Sequence, residues 1–244
     1  MSLRINTNIE ALSAHRTLAR SSEALTKSME KLSTGSRINR AADDAAGLGI
    51  SEKMRGQIRG LAQAGRNIQD GVSMVQTAEG NLDEVHAMLQ RVRELAVQYK
   101  NGSLSQAGRD AIQTEVNQLA SEIERIGTTA EFNGVKVLNT AGGVTYQVGA
   151  NDGETISVAT ISLGATVGTD AFSLTVGGAS DISEIDAAIS AVSNSRATFG
   201  AVQNRLEHAL AAAAVYQENL VAAESRIRDA DLAVETVELT RQQR

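Results

Sequence analysis

One pattern limits what this chain can become. From Phe199 onward, apolar or small residues recur at Val202, Leu206, Ala209, Ala213, Tyr216, Leu220, Ala223, Ile227, Ala230, Val234 and Val237. The steps alternate between three and four, the heptad seam of a coiled coil. Ile185, Ala188 and Val192 lead into the same face, and only Gly200 interrupts it. The spacing predicts one continuous helix over 181–244, far longer than helices in globular domains average. A seam of that length cannot be left in water. Something equally long must cover it, from this chain or from a neighbour.

Composition agrees with thin helix–helix packing. The 244 residues include three Phe, three Tyr and no Trp, so rings cannot supply much of a core. Pro is absent, which suits uninterrupted helices. The formal charge is −6, from 23 basic and 29 acidic residues. No basic stripe with interleaved aromatics points to nucleic acid. Without cysteine there is no disulfide, thiol chemistry or Cys-type zinc site. The start, MSLRINTNIEALSAHR, lacks the apolar core of a Sec signal, and no run is long enough for a membrane span.

In chain order, Ile9, Leu12, His15, Ala19, Ser22, Leu25, Met29 and Leu32 trace a weak helical stripe over 5–33, stopped by Gly35. Residues 34–57 mix Arg37, Arg40, Asp43 and Asp44 with Gly47 and Gly49. They read either as a solvated turn with local ion pairs or as a tight joint. A second helix is expected over 58–100, with a seam through Leu82, Val85, Leu89, Val92, Ala96 and Tyr99 and a phase slip near 75–78. Ser103 and Gln106 suggest a capping box for a third helix closed by Gly127, folding back as a hairpin. From 130 to 180 the period drops to two through Val135, Val137, Tyr146, Val148, Ile156, Val158, Phe172, Leu174 and Val176. Gly142-Gly143, Asp152-Gly153 and Gly177-Gly178 read as turns. The expected fold is mainly α: a long antiparallel helical coiled-coil rod with a small β-hairpin module at one end. Residues 5–33 and those beyond about 225 should meet at the other.

The chemistry of catalysis is missing. His15, His86 and His208 are far apart and fit no metal motif, and no phosphate loop or nucleophile elbow occurs. Asp43-Asp44 and Asp229/Asp231 sit beside arginines and read as ion pairs or helix-end groups. The expectation is no enzyme, no catalytic residue, no metal and no cofactor.

Several blocks together resemble bacterial flagellin: RINTNIEAL near the start, LSTGSRINRAADDAAGLGISEKMRGQIRGL at 32–61, NIQDGVSMVQTAEGNLDEVHAMLQRVRELAVQ at 67–98, EFNGVKVLN at 131–139, and FGAVQNRLEHAL with ENLVAAESRIRDADLAVE across 199–235. They occur in the family's order and cover about two-thirds of the chain. The resemblance implies a filament subunit, exported unfolded through the flagellar type III apparatus and placed outside the cell. Its terminal helices would order on assembly, by contacts repeated head to tail.

By the same resemblance, Ile5, Ile9, Leu12, Leu25 and Leu32 belong to the inner core of the filament, and Arg37, Arg40, Asp43 and Asp44 to the joint. The rod seam runs through Leu82, Leu89, Val92, Phe199, Val202, Leu206, Leu220 and Ile227. Residues 130–180 are a reduced variable region. Gln90, Arg91 and Leu95, with Glu115, match the patch that the vertebrate Toll-like receptor for flagellin contacts. Leu95 lies off the seam and is expected to face outward. Family members continue past TVELTRQQR with a further helix that pairs with residues 1–33 and docks the flagellin chaperone. This sequence stops at Arg244, so the expectation is either a trimmed chain or a divergent subunit, with that docking segment missing from the sequence in hand. The alternatives are the hook–filament junction protein, which shares the terminal helices, and a secreted coiled-coil scaffold.

Overall fold

The computed structural model describes residues 8–167 and 181–243. It contains α1 (Ile9–Thr34), α2 (Ala45–Tyr99), α3 (Gln106–Thr129), β1 (Glu131–Phe132), β2 (Val135–Lys136), β3 (Gly142–Gln147), β4 (Thr155–Thr160), α4 (Leu163–Val167), α5 (Asp181–Arg228) and α6 (Leu232–Gln242). The fold is mainly α, with two small antiparallel hairpins. The chain divides into two compact units, Met1–Arg59 with Tyr216–Arg244, and Gly60–Val215.

The unit Gly60–Val215 holds the main core. Ion pairs mark the direction of its helices: Arg93 bonds Asp186, while Arg196 reaches Glu79 and Asp83. As numbers rise along α2 they fall along α5, so the two run antiparallel. The seam between them is closed to solvent. Leu82, Leu89 and Val92 on α2, and Phe199, Val202 and Leu206 on α5, are all buried. On α3, Ile112, Val116, Ile123 and Ile126 are buried in the same core.

Strands β3 and β4 pair from Gly142↔Thr160 to Gln147↔Thr155, closed by a turn with Gly153 at φ 85°. Along β4 buried and exposed residues alternate, so one face packs inward. The hairpin is held to α2 by the Asn67 side-chain amide, which donates to the Gln147 carbonyl at 3.2 Å, and by the Tyr146 hydroxyl, which donates to Met74 Sδ at 3.0 Å. Gly71 makes this approach possible: a Cβ there would lie 3.4 Å from both Tyr146 and Leu206.

In the other unit, α1 packs on α6. Asn8 caps α1 through the Ala11 N–H, and Gly35 ends it in the left-handed conformation at φ 70°. The side of α1 toward α6 is covered, with Ser28 buried and Leu25 and Leu32 half-buried.

Several expectations are corrected. The second helix begins at Ala45, not 58. Asp44 caps it by accepting from the Gly47 N–H at 2.8 Å, so the connection shrinks to 35–44. Ser105, not Ser103, caps α3, and Gly127 lies inside that helix against Leu163. Gly142-Gly143 belongs to β3 rather than to a turn. The C-terminal helix is not continuous. It stops at Arg228, and Asp231 caps a new helix by accepting from the Ala233 and Val234 N–H groups. The heptad phase continues across this break, but Val234 and Val237 are exposed. Ile5, Phe172, Leu174, Val176 and Gly177-Gly178 lie outside the described residues.

Candidate functional site

Three surfaces gather the residues singled out in the sequence. The first is the connection after α1, where two chain segments are stitched together. Ser36 and Asp229 form an isolated antiparallel bridge. The Arg37 N–H donates to the Arg228 carbonyl at 2.6 Å, and the Ala230 N–H to the Gly35 carbonyl at 2.9 Å. The Arg37 guanidinium donates to the Ile227 carbonyl at 2.7 Å, at the C-terminal end of α5, where a cation is favoured. Arg40 grips Glu30 with two hydrogen bonds, at 3.1 and 3.0 Å. Asp43 accepts from the Arg40 and Asn39 backbone N–H groups, which hold its carboxyl below the usual range. Arg228 bonds Glu52 at 2.7 Å and lowers that carboxyl too. Beneath this polar layer Ile38 is buried. Arg37, Arg40, Asp43 and Asp44 thus come together in one tight connection, each with a named partner.

The second surface is apolar. Ile9, Leu12 and Leu18 on α1, and Leu232, Val234 and Val237 on α6, are all exposed. Leu18 is 71 % and Val237 68 % exposed. Along α5 the seam loses its cover in the same way: Leu220 is buried, Ile227 half-buried and Tyr216 exposed.

The third surface lies where α2 meets α3. Arg91 donates to Glu115 Oε1 at 3.0 and 2.9 Å and to Glu94 at 3.2 Å, so its guanidinium is held more firmly protonated than usual. The Gln90 amide lies 2.8 Å from a His86 ring nitrogen. Gln90, Arg91 and Glu115 are exposed neighbours, but Leu95 is not with them. It is 2 % exposed, inside the core. The expectation of an outward anchor took α2 to serve one seam. With α5 and α3 both packed against it, α2 buries a wider stripe. Met88 and Leu95 form a second row beside Leu89, Val92 and Ala96. The outward apolar residue here is Val97.

Comparison with known proteins now decides the family. The model for the bacterial flagellin N-terminal helical region matches residues 5–142, and that for the bacterial flagellin C-terminal helical region matches residues 182–244. The chain belongs to the bacterial flagellin family. Flagellin of Halalkalibacterium halodurans is 51 % identical over 243 residues, covering 97 % of this chain and 89 % of that one. Flagellin of Bacillus subtilis is 44 % identical over 277 residues, covering 98 % and 91 %. The crystal structure of Bacillus cereus flagellin is 30 % identical, with a TM-score of 0.55, covering 60 % of this chain and 87 % of that one. A putative flagellar hook-associated protein from Vibrio parahaemolyticus also has a TM-score of 0.55, but at 16 % identity it shares the fold alone. This flagellin is a structural subunit of the flagellar filament, assembling with copies of itself. It is not an enzyme. No helix among the described residues is long and apolar enough to cross a membrane.

Proposed function

We propose that this flagellin forms its inner filament contacts through the apolar faces of α1 and α6, and its outer ones through the unit Gly60–Val215. The observation that carries this is the contrast in cover. Leu82, Leu89, Phe199 and Leu206 are sealed within one chain, whereas Ile9, Leu12, Leu18, Val234 and Val237 face solvent. Fully burying one such side chain stabilises by about 1.5–3 kcal/mol, at least roughly tenfold in association. The test is the critical concentration for polymerisation on filament seeds, with Leu18→Asp and Val237→Asp. Both positions are exposed, so the monomer's circular dichroism should not change. A critical concentration raised about tenfold or more is expected. An unchanged value overturns the reading.

Before assembly the same α6 face needs shielding. Although the family's docking segment for the flagellin export chaperone follows TVELTRQQR, we take the α6 face as a further contact for that chaperone, and the flagellar type III apparatus as the route out of the cell. Calorimetric binding of that chaperone should weaken with Val234→Asp, and undiminished binding would remove α6 from its footprint.

A second reading draws support from Arg91 and Glu115 standing as an exposed pair on adjoining helices. It is recognition by the vertebrate Toll-like receptor for flagellin, with Gln90, Arg91 and Glu115 as contacts and Leu95 as a support from beneath. Arg91→Glu should abolish receptor activation while leaving thermal unfolding unchanged. Retained activation excludes the patch.

A further inference from the structure

The turn between α2 and α3 contains Asn101-Gly102-Ser103, all exposed. At an Asn-Gly bond the following backbone nitrogen can close onto the side-chain amide carbon with no Cβ in the way. Asn101 Oδ1 accepts two hydrogen bonds, from the Ser103 backbone N–H at 3.2 Å and from the Ser103 hydroxyl at 3.1 Å. Both donors polarise the amide carbonyl and stabilise the oxyanion that forms when a nucleophile adds to its carbon. The Gly102 N–H has no hydrogen-bond partner among the described residues, so the nucleophile is free.

The chain has a second Asn-Gly bond, at Asn133-Gly134, and its setting is opposite. Asn133 is held at φ 48° in a two-residue turn, closed by the β1–β2 pairing and by the Lys136–Glu131 ion pair at 2.6 Å. Ring closure there must open the hairpin, and among the described residues no hydrogen-bond donor reaches the Asn133 side chain.

We propose that Asn101-Gly102 is a self-modifying deamidation site. The Gly102 nitrogen gives its proton to solvent and bonds to Asn101 Cγ. The Cγ–Nδ2 bond then breaks, and the amide nitrogen leaves as ammonia after taking up a proton. Water opens the five-membered imide at either carbonyl, giving aspartate or isoaspartate at 101. One water is consumed in opening the ring, one ammonia is released, and nothing is oxidised or reduced. The product adds a negative charge to the turn. In the isoaspartyl form it also adds a methylene to the main chain, where the Leu104 N–H and Arg109 Nη2 donate to the Asn101 carbonyl at 3.3 and 3.4 Å. Conversion follows time rather than an enzyme, so residue 101 records the age of a subunit.

The full chain, incubated at mildly alkaline pH, is sampled over days. Tryptic peptides are read by electron-transfer fragmentation, which separates aspartate from isoaspartate. Asn101 should convert at least about threefold faster than Asn133, as one net hydrogen bond to the oxyanion predicts. Ser103→Ala keeps the backbone donor and removes the hydroxyl, and should slow conversion at 101 about three- to tenfold. Gly102→Ala meets no atom within 4 Å, so the fold is kept, and it should bring the rate below that at Asn133. Equal rates at 101 and 133, or a rate unmoved by Ser103→Ala in a chain with unchanged circular dichroism, overturn the proposal.

Discussion

Replacing Leu95 by alanine separates a core residue from a surface anchor. Leu95 is 2 % exposed and belongs to the core cluster that includes Val92, Ala96 and Tyr99 on its own helix and Val116 on α3. Leu→Ala at such sites costs about 2–5 kcal/mol, the lost transfer energy plus the cavity left behind. Both residues are strong helix formers, so helix propensity masks little of that loss. At about 3 kcal/mol, and about 2–4 °C per kcal/mol for a unit of this size, the transition should fall by roughly 6–12 °C. The assay is thermal unfolding by circular dichroism, with hydrogen exchange of the α2 amides as a local readout. Val97→Ala is the control. At 52 % exposure it should change stability by no more than about 0.5 kcal/mol. A Leu95→Ala transition within about 2 °C of the parent would refute the packing argument. Leu95→Met adds a second discrimination. It conserves volume and should keep both stability and receptor activation. If it abolished activation in a stable protein, Leu95 would be a direct contact.

Gly71→Leu should cost about 1–3 kcal/mol by overpacking, seen as faster hydrogen exchange in β3 and β4, because Tyr146 and Leu206 already sit 3.4 Å from the position of a Cβ. Gly71→Ala should be close to neutral by the same measurement, since the tight contact is offset by a gain in helix propensity of about 0.5–1 kcal/mol. The connection after α1 should loosen in acid. The carboxyls of Asp43 and Glu52 are lowered from ordinary values of 3.8 and 4.5, so their contribution is complete above those values and is lost as pH falls through the depressed ones. Protection of the Ala230 amide should decline below about pH 4, and Asp43→Asn should flatten that profile.

The seam was legible because a repeat of three and four is written in side-chain type. Leu82, Leu89, Val92, Phe199, Val202 and Leu206 were found by period alone, and they are buried. The length of the connection was not legible. Residues 45–57 are small and charged, and show no clear stripe. Their helical state rests on the Asp44 cap and on the absence of proline, despite Gly47, Gly49 and Gly56. The break after Arg228 was hidden more deeply, since Ala230, Val234 and Val237 keep the heptad phase. What interrupts the helix is a pairing of Ser36 with Asp229, a contact across most of the chain that no local pattern announces. Of the candidate site, Arg91 and Glu115 came together, because opposite charges on adjoining helix edges find one another, while Gln90 is exposed beside Arg91 and bonds His86. Leu95 was misplaced, because a heptad count gives one face of a helix and cannot say that a second helix will claim another.

The same limit explains the two ends of the C-terminal repeat. A heptad states that a face will be covered, but it does not say which chain supplies the cover. Where Phe199 and Leu206 lie, α2 of the same chain does so. Where Val234 and Val237 lie, the described residues leave the face exposed, although the pattern persists. On the proposed reading, in a family whose members assemble into filaments, this exposed part of the seam is completed by other subunits. On that reading the exposed residues of α1 and α6 are the half of an interface that a single subunit carries.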